Sequence, residues 1–293
     1  MRKKKGERWL DLSINVMLII VAMISIYPIW YVLIASVSDP TAIAAGQVTI
    51  IPKGFNLQAY KKLFQNSMIW TGYKNSIIYT TAATLVDLFV QATCAFALSR
   101  KTLPGRKFLS TLFIIIMYFS GGMIPRFIII SKLGMLNSPL ALIIPGCVSV
   151  YNIILLRNFF EYNIPDSLIE AAQIDGASWT KCFIKVVLPL STAIIATVAL
   201  FSITSHWNAY LGAQMYLYDS ELYTLQQVIK IITSEASSVV SENATLDEMR
   251  QMILERNLMK YAVVVVGSIP LIIAYPFVQK HFVGGVMVGA VKG

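Results

Sequence analysis

The sequence predicts an all-α integral membrane protein of six transmembrane helices, with a two-helix polar loop on the cytoplasmic side. Three observations carry that expectation. Of 293 residues, 56% are hydrophobic and 13% charged, with a mean hydropathy of +0.66, whereas soluble domains carry roughly 25% charged residues. Uncharged runs reach the ~20 residues that a bilayer crossing needs, among them INVMLIIVAMISIYPIWYVLIA (14–35) and YAVVVVGSIPLIIAYPFVQ (261–279). Between such runs stands EAAQIDGASWTKCFIKVVLPLS (170–191), a polar, helix-forming stretch in a largely apolar chain.

The elements follow in order. MRKKKGER looks like a basic leader, but the apolar run behind it exceeds the ~7–15 residues of a signal core and no A-x-A-type site closes it. It is therefore read as a retained first helix. The six spans are placed at about 14–35, 76–99, 108–130, 138–158, 188–209 and 260–279, within a single transmembrane domain covering 1–293. An even number of spans puts both termini on one side. Arg2, Lys3, Lys4, Lys5 and Arg8 flank one membrane edge, and Arg100, Lys101, Arg106 and Lys107 flank another. Basic flanks of this kind mark the cytoplasmic side. The net charge of +9 thus reads as membrane orientation rather than nucleic-acid binding. Two longer outer segments remain, 36–75 and 210–259; in the second, Thr245 is placed to cap a short surface helix ahead of Glu248.

Three features inside the spans depart from plain hydrocarbon. YFSGGMIPRF (118–127) brings Gly121, Gly122 and Pro125 together, which predicts a kink. At membrane depth such irregularity needs protein or a water-filled cavity over it, so these glycines either pack helices closely or line a substrate path. Asp87, with Gln91 one turn later, costs several kcal/mol in a span unless paired or hydrated. Structural pairing is the leading reading for it, with contact to a transported solute as the other. FSITSHWNAY (201–210) interleaves Ser205 and other hydroxyls with Trp207, Asn208 and Tyr210. Aromatic faces and amides suit sugar rings, and equally suit an interfacial aromatic belt. Cys94, Cys147 and Cys182 are scattered, and His206 lies far from His281. No metal site, disulfide framework or catalytic cluster is expected from those spacings.

The loop 159–187 has its own local signals. Pro165 and Asp166 open a helix. Leu168, Ala171 and Ala172 form a small apolar face, Gly176 stands where a left-handed cap would close it, and Ser178 is placed to cap a second short helix running toward Leu188 and Pro189. Small residues beside Glu170 suit close contact with a cytoplasmic protein better than burial in lipid, where bulky apolar residues opposite Lys and Arg are usual.

Glu170-Ala171-Ala172, then three residues, Gly176, nine more, Val186, one more, and Leu188-Pro189 resembles the EAA loop of permease subunits in binding-protein-dependent ABC importers. Val186 replaces the usual Ile, and the proline that many relatives carry soon after LPLS is missing. The ending HFVGGVMVGAVKG, the WNAY stretch and GGMIP in the third span resemble the maltose-type, oligosaccharide branch. The resemblance implies a bacterial cytoplasmic membrane, both termini inside, and a second, homologous permease enclosing a translocation path. It implies a cytoplasmic ATPase dimer on the EAA loops and an extracellular solute-binding protein delivering a sugar. On this reading Glu170, Ala171, Ala172, Asp175, Gly176, Leu188 and Pro189 couple to the ATPase. The substrate-path candidates are Asp87, Gly121, Gly122, Ser205, Trp207 and Asn208. The tail from His281 to Gly293, read as neither a span nor an amphipathic helix, is expected against the ATPase.

The chain contains no G-x-x-x-x-G-K-[ST] phosphate loop. It is therefore not expected to be an enzyme or to bind a cofactor; ATP and Mg would sit on the partner ATPase. The alternatives are an ABC importer for another solute, such as an amino acid, phosphate or peptide, and an ion-coupled secondary transporter using Asp87. Arg126, near the outer end of the third span, would suit an acidic oligosaccharide, and a lone arginine at the interface is equally an ordinary feature of a span end.

Overall fold

The computed structural model describes the backbone of residues 5–119, 121–238 and 246–290, with side chains over most of 11–276. Among the described residues it is all helix and turn. In chain order the helices are α1 (Lys5–Ser36), α2 (Pro40–Ala44), α3 (Gln58–Gln65), α4 (Ser67–Ser99), α5 (Arg106–Tyr118), α6 (Met123–Lys132), α7 (Leu140–Ile143) and α8 (Val150–Tyr162). Then come α9 (Asp166–Ile174), α10 (Trp179–Cys182), a π-helical turn (Phe183–Val187), α11 (Leu188–Leu190), α12 (Thr192–Trp207), α13 (Tyr210–Tyr216), a 3-10 turn (Ser220–Leu222), α14 (Leu225–Ser238) and α15 (Leu246–Ala290).

Three stretches are long and apolar enough to cross a bilayer alone: Asp11–Ser36, Ser67–Ser99 and Ile253–Ile273. Two bent helix pairs raise the number to five if each pair is one span. The expected span 108–130 is broken: α5 and α6 meet at 113°. Gly122, at φ +85°, makes the turn, while Pro125 sits in the first turn of α6, where its missing N–H breaks no helical bond. The expected span 188–209 is bent by 85° between Leu190 and Thr192, so its straight part starts at Thr192. The expected span 138–158 is likewise two pieces, α7 and α8, because Pro145 and Gly146 fall between them and Ser149 starts α8 afresh by capping Asn152 N. The short helix expected after Thr245 is the start of α15, whose backbone runs unbroken to Ala290. The tail, expected to be neither a span nor an amphipathic helix, has a helical backbone over 281–290, while Thr245 and 291–293 lie outside the described residues.

The chain forms two compact units. One comprises residues 1–67 and 229–269. In it α1 is exposed along nearly its whole apolar length: the span window from Asp11 is 6% buried. Its last residues turn inward. Ser36 shares a 2.7 Å hydrogen bond with Tyr60 on α3, and Trp30 Nε1 donates to the carbonyl of Ile50 at 2.9 Å. Asp39 caps α2 through Thr41 N and Ala42 N.

The other unit comprises 68–228 and 270–293, and it holds the residues of interest. Its axis is α4, whose span window is 44% buried. The first turns of α4 carry the loop before α14. Asn75 Nδ2 donates to the carbonyls of Glu221 and Tyr223 at 2.7 and 3.0 Å, and Ser76 Oγ accepts from Leu225 N at 2.8 Å. Gly72 permits that approach, since a β-carbon there would sit 3.0 Å from Leu225 Cα. At the other end of α4, Ala95, Phe96 and Leu98 join Leu156 and Phe160 of α8, Cys182 and Val187 of the loop, and Val198 of α12 in one apolar core.

Candidate functional site

The loop 159–187 closes one end of this unit, and its local structure follows the expected signals. Pro165 precedes the first residue of α9 and Asp166 sits in its first turn. Gly176 adopts φ +82°. Gly176 N bonds Gln173 O at 3.0 Å and Ala177 N bonds Ala172 O at 2.9 Å, the paired bonds of a Schellman cap. Ser178 Oγ then accepts from Lys181 N to start α10.

The small apolar face expected on α9 is largely turned outward, and a neighbouring residue anchors the helix. Ile169, not Leu168, enters the core at 3% exposure, and Ala172 packs half-buried against it. Leu168 and Ala171 face outward with Glu170, Asp175 and Gly176. Ile174, which the sequence reading did not single out, is 86% exposed beside them. The anchoring side is not legible in the sequence, because a nine-residue helix with apolar residues on two sides offers no periodicity that decides which side meets the bundle. Leu188 packs on the core, and Pro189 is exposed.

Charged side chains clamp this loop onto the bundle. Arg100, 8% exposed, reaches Asp166 Oδ1 at 3.2 Å, the carbonyl of Phe160 at 3.3 Å and Ser99 Oγ at 3.0 Å, with its guanidinium 5.3 Å from the Phe96 ring centroid. One side chain thus ties together the ends of α4 and α8 and the start of α9. Arg106 Nη2 lies 2.6 Å from Glu161 Oε2, which Arg157 also approaches at 3.4 Å. Burial alone would push the Glu161 carboxyl up, but the hydrogen bond and charge of Arg106, then Arg157, more than offset it and hold it below its ordinary value. The sequence reading took Arg100 and Arg106 as orientation signals; their structural partners, 55 to 66 residues away in the chain, left no local trace.

Midway along α4, Asp87 is 3% exposed, and its Oδ2 lies 2.9 Å from His206 Nε2 on α12. The pairing reading of Asp87 has a named partner, one that spacing could not reveal across 119 positions. Gln91, a turn later, donates to the carbonyl of Cys147 at 3.1 Å. Buried oxygens on this seam, Thr84 Oγ1, Asp87 Oδ1, Gln91 Oε1 and Ser202 Oγ, have no hydrogen-bond partner among the described residues.

Toward the end opposite the loop, the seam opens into a cavity of about 450 Å³. Ser76, Tyr79 and Thr80 of α4, Arg126 of α6 and Ser205 and His206 of α12 line it. Of the substrate-path candidates, Gly122 and Ser205 are on its wall, and Asp87 stands behind His206. Gly121, Trp207 and Asn208 are not on it. Trp207, 4% exposed, has its ring 6.5 Å from Tyr73. Asn208 ends α12 and is exposed, as is Gly121. The cavity residues missed in the sequence, Tyr79 and Thr80 above all, carry no motif. They are found only because the i, i+3 and i+4 positions of α4 share a face.

Comparisons with known proteins give a consistent picture. The family model described as "Binding-protein-dependent transport system inner membrane component" matches residues 4–288. The polygalacturonan/rhamnogalacturonan transport system permease protein YtcP of Bacillus subtilis (strain 168) is 37% identical over 287 residues, covering 98% of this chain and 99% of that protein. Protein LplC of the same organism is 36% identical over 293 residues, covering 100% and 98%. Among solved structures, a chain of a bacterial ABC transporter involved in the import of the acidic polysaccharide alginate superposes with a TM-score of 0.83 at 31% identity, covering 96% of this chain and 99% of that one.

Proposed function

Because the chain belongs to the inner-membrane components of binding-protein-dependent transport systems, we propose that it is the permease subunit of an ATP-driven ABC importer of oligosaccharides. It forms half of a translocation path with a second, homologous permease. A cytoplasmic ATPase dimer, which holds ATP and Mg, docks on residues 159–187, and an extracellular binding protein delivers the sugar. The observation that carries this reading is the loop itself: an outward face of Glu170, Ala171, Ile174, Asp175 and Gly176 on a segment anchored by Ile169 and clamped by Arg100. Small residues and a tight glycine cap permit close approach of another protein, while the anchors make the loop move with α4 and α8. Rigid-body rocking of such units is a known route to alternating access.

In this proposal the chain is one transmembrane domain of six spans in a bacterial cytoplasmic membrane, with both termini inside. The three helices long enough to cross alone, α5 with α6, and α12 would supply five spans, and α7 with α8 the sixth. The names of the relatives support a saccharide, and the polymers named for two of them, polygalacturonan and alginate, are built of uronic acids. The solute is therefore proposed to be an oligosaccharide that carries carboxylates.

Reconstitution tests the assignment. The chain alone in proteoliposomes is expected to move no sugar, and the full assembly is expected to take up oligosaccharide only with ATP inside. ATP-independent uptake by the chain alone would overturn the ABC reading in favour of a secondary transporter working through Asp87.

A further inference from the structure

The cavity between α4, α6 and α12 has a composition that the import reading does not require. Besides the His206 imidazole, Arg126 is its one charged side chain, and no carboxylate pairs with Arg126 among the described residues. The rest of the polar wall is uncharged: the hydroxyls of Ser76, Tyr79, Thr80, Ser205 and Thr224. Arg126 is itself exposed, on a helix that its neighbours anchor. The Phe127 ring stacks on Tyr216 at 6.2 Å and 24°, and Ile130 is 2% exposed in the same small core. α6 is thereby fixed along the side next to Arg126. On the facing wall, His206 has Nε2 committed to Asp87, which leaves Nδ1 as the ring atom for a further hydrogen bond. Gly146 gives the ring room, since a β-carbon there would lie 3.0 Å from His206 Cε1.

We infer that this cavity is a saccharide subsite that selects for a carboxylate, with Arg126 as its charged anchor. The inference rests on the import reading above and adds to it the residues that read the charge. A guanidinium presents a planar fork that matches a carboxylate with two parallel hydrogen bonds. The hydroxyls and the rings of Tyr79 and Tyr216 suit the hydroxyl edges and apolar faces of a pyranose. The volume of about 450 Å³ falls in the ~300–1,000 Å³ range of small-molecule sites. Asp87 is a positioning residue in this scheme: it fixes the His206 ring so that Nδ1 can meet a sugar hydroxyl.

The test uses the complete transporter, with its partner permease, ATPases and binding protein, in proteoliposomes. Uptake of trigalacturonate and of its methyl ester, equal in length but uncharged, is compared for the native chain, Arg126→Gln and Arg126→Lys, each at matched yield of assembled complex. The native assembly is expected to favour the charged form. Arg126→Gln should lower the ratio of charged to esterified uptake about tenfold or more, and Arg126→Lys, which keeps the charge without the fork, should fall between. An unchanged ratio in Arg126→Gln, or an equal loss of both substrates, overturns the subsite. Native uptake of the ester alone, or of a phosphorylated sugar in preference to the uronate, also overturns it while leaving the import reading standing. No ATP-dependent uptake of any saccharide by the native assembly strikes the import reading itself.

Discussion

The two ends of α4 are built on opposite principles. At the loop end a dense apolar core, in which Leu156, Phe160, Cys182 and Val187 are each 0% exposed, lies beside an apolar groove of about 420 Å³ lined by Phe96, Trp179 and Phe183. The charges there are paired, Arg100 with Asp166 and Arg106 with Glu161. Toward the cavity, hydroxyls face open space, Arg126 has no carboxylate among the described residues, and buried oxygens on the adjoining seam stay unpartnered. Tyr79 and Arg100 are 21 positions apart on one continuous helix and its flank, about 30 Å at 1.5 Å per residue. The contrast teaches a division of labour. One end holds the loop to α4 and α8 through a buried core and ion pairs, which suits it to transmit movement. The other keeps hydrogen-bonding capacity in reserve, as a path must if a hydrated solute is to exchange partners along it.

The largest effect expected from this contrast is on stability. Phe160→Ala removes a ring from a filled core, which typically costs about 3–5 kcal/mol. Met215→Ala on the cavity wall, half-buried beside open space, should cost well under half of that. Thermal unfolding of the solubilised complex compares the two, and equal losses would erase the distinction between the ends.

A smaller loss, with a different signature, is expected for Arg100→Met. The substitution keeps the apolar contact with Phe96 but removes the links to Asp166 and the Phe160 carbonyl. Asp166 is 60% exposed and rehydrates, so the stability cost should be only about 2 kcal/mol. The clamp itself would be gone. ATP hydrolysed per sugar imported should rise, and a native ratio would show that Arg100 is only a membrane-side charge.

Asp87→Asn should act on assembly more than on substrate preference, because an amide still fits beside His206 but cannot carry the carboxylate's charge. The expected cost is about 1–2 kcal/mol, read as yield of intact complex beside uptake of several sugars. Normal yield with an altered substrate range would show that Asp87 serves the solute path and not the stability of the fold.

The sequence was most legible where structure is local. Gly176 and Ser178 sit at the caps their types require, and Gly121-Gly122 mark the break between α5 and α6. It was least legible where a residue's role depends on a distant partner. Ile169 and Leu168 are adjacent and similar, and only the presence of Phe160 and Cys182 beneath the loop decides which is buried. Arg100 looks like any basic flank until Asp166 is placed beside it. The division of the expected fourth span stands between these cases. Pro145-Gly146 is a readable break signal that the reading of 138–158 as one span did not use.

The central claim, that residues 159–187 join ATP hydrolysis to transport through the outward face of α9, is tested most directly at that face. Ala172, half-buried against the core, is unsuitable for a bulky probe, whereas Ala171 is exposed and Gly176 has open space around its α-carbon. Gly176→Val strains only the left-handed cap, by roughly 1 kcal/mol or more, and Ala171→Trp only obstructs the surface. The measurement is co-purification of the ATPase together with ATP-driven sugar uptake for both variants. The account predicts normal membrane insertion with the ATPase lost, or retained with ATP hydrolysed and no sugar moved. Native ATPase binding and native uptake in both variants would contradict it.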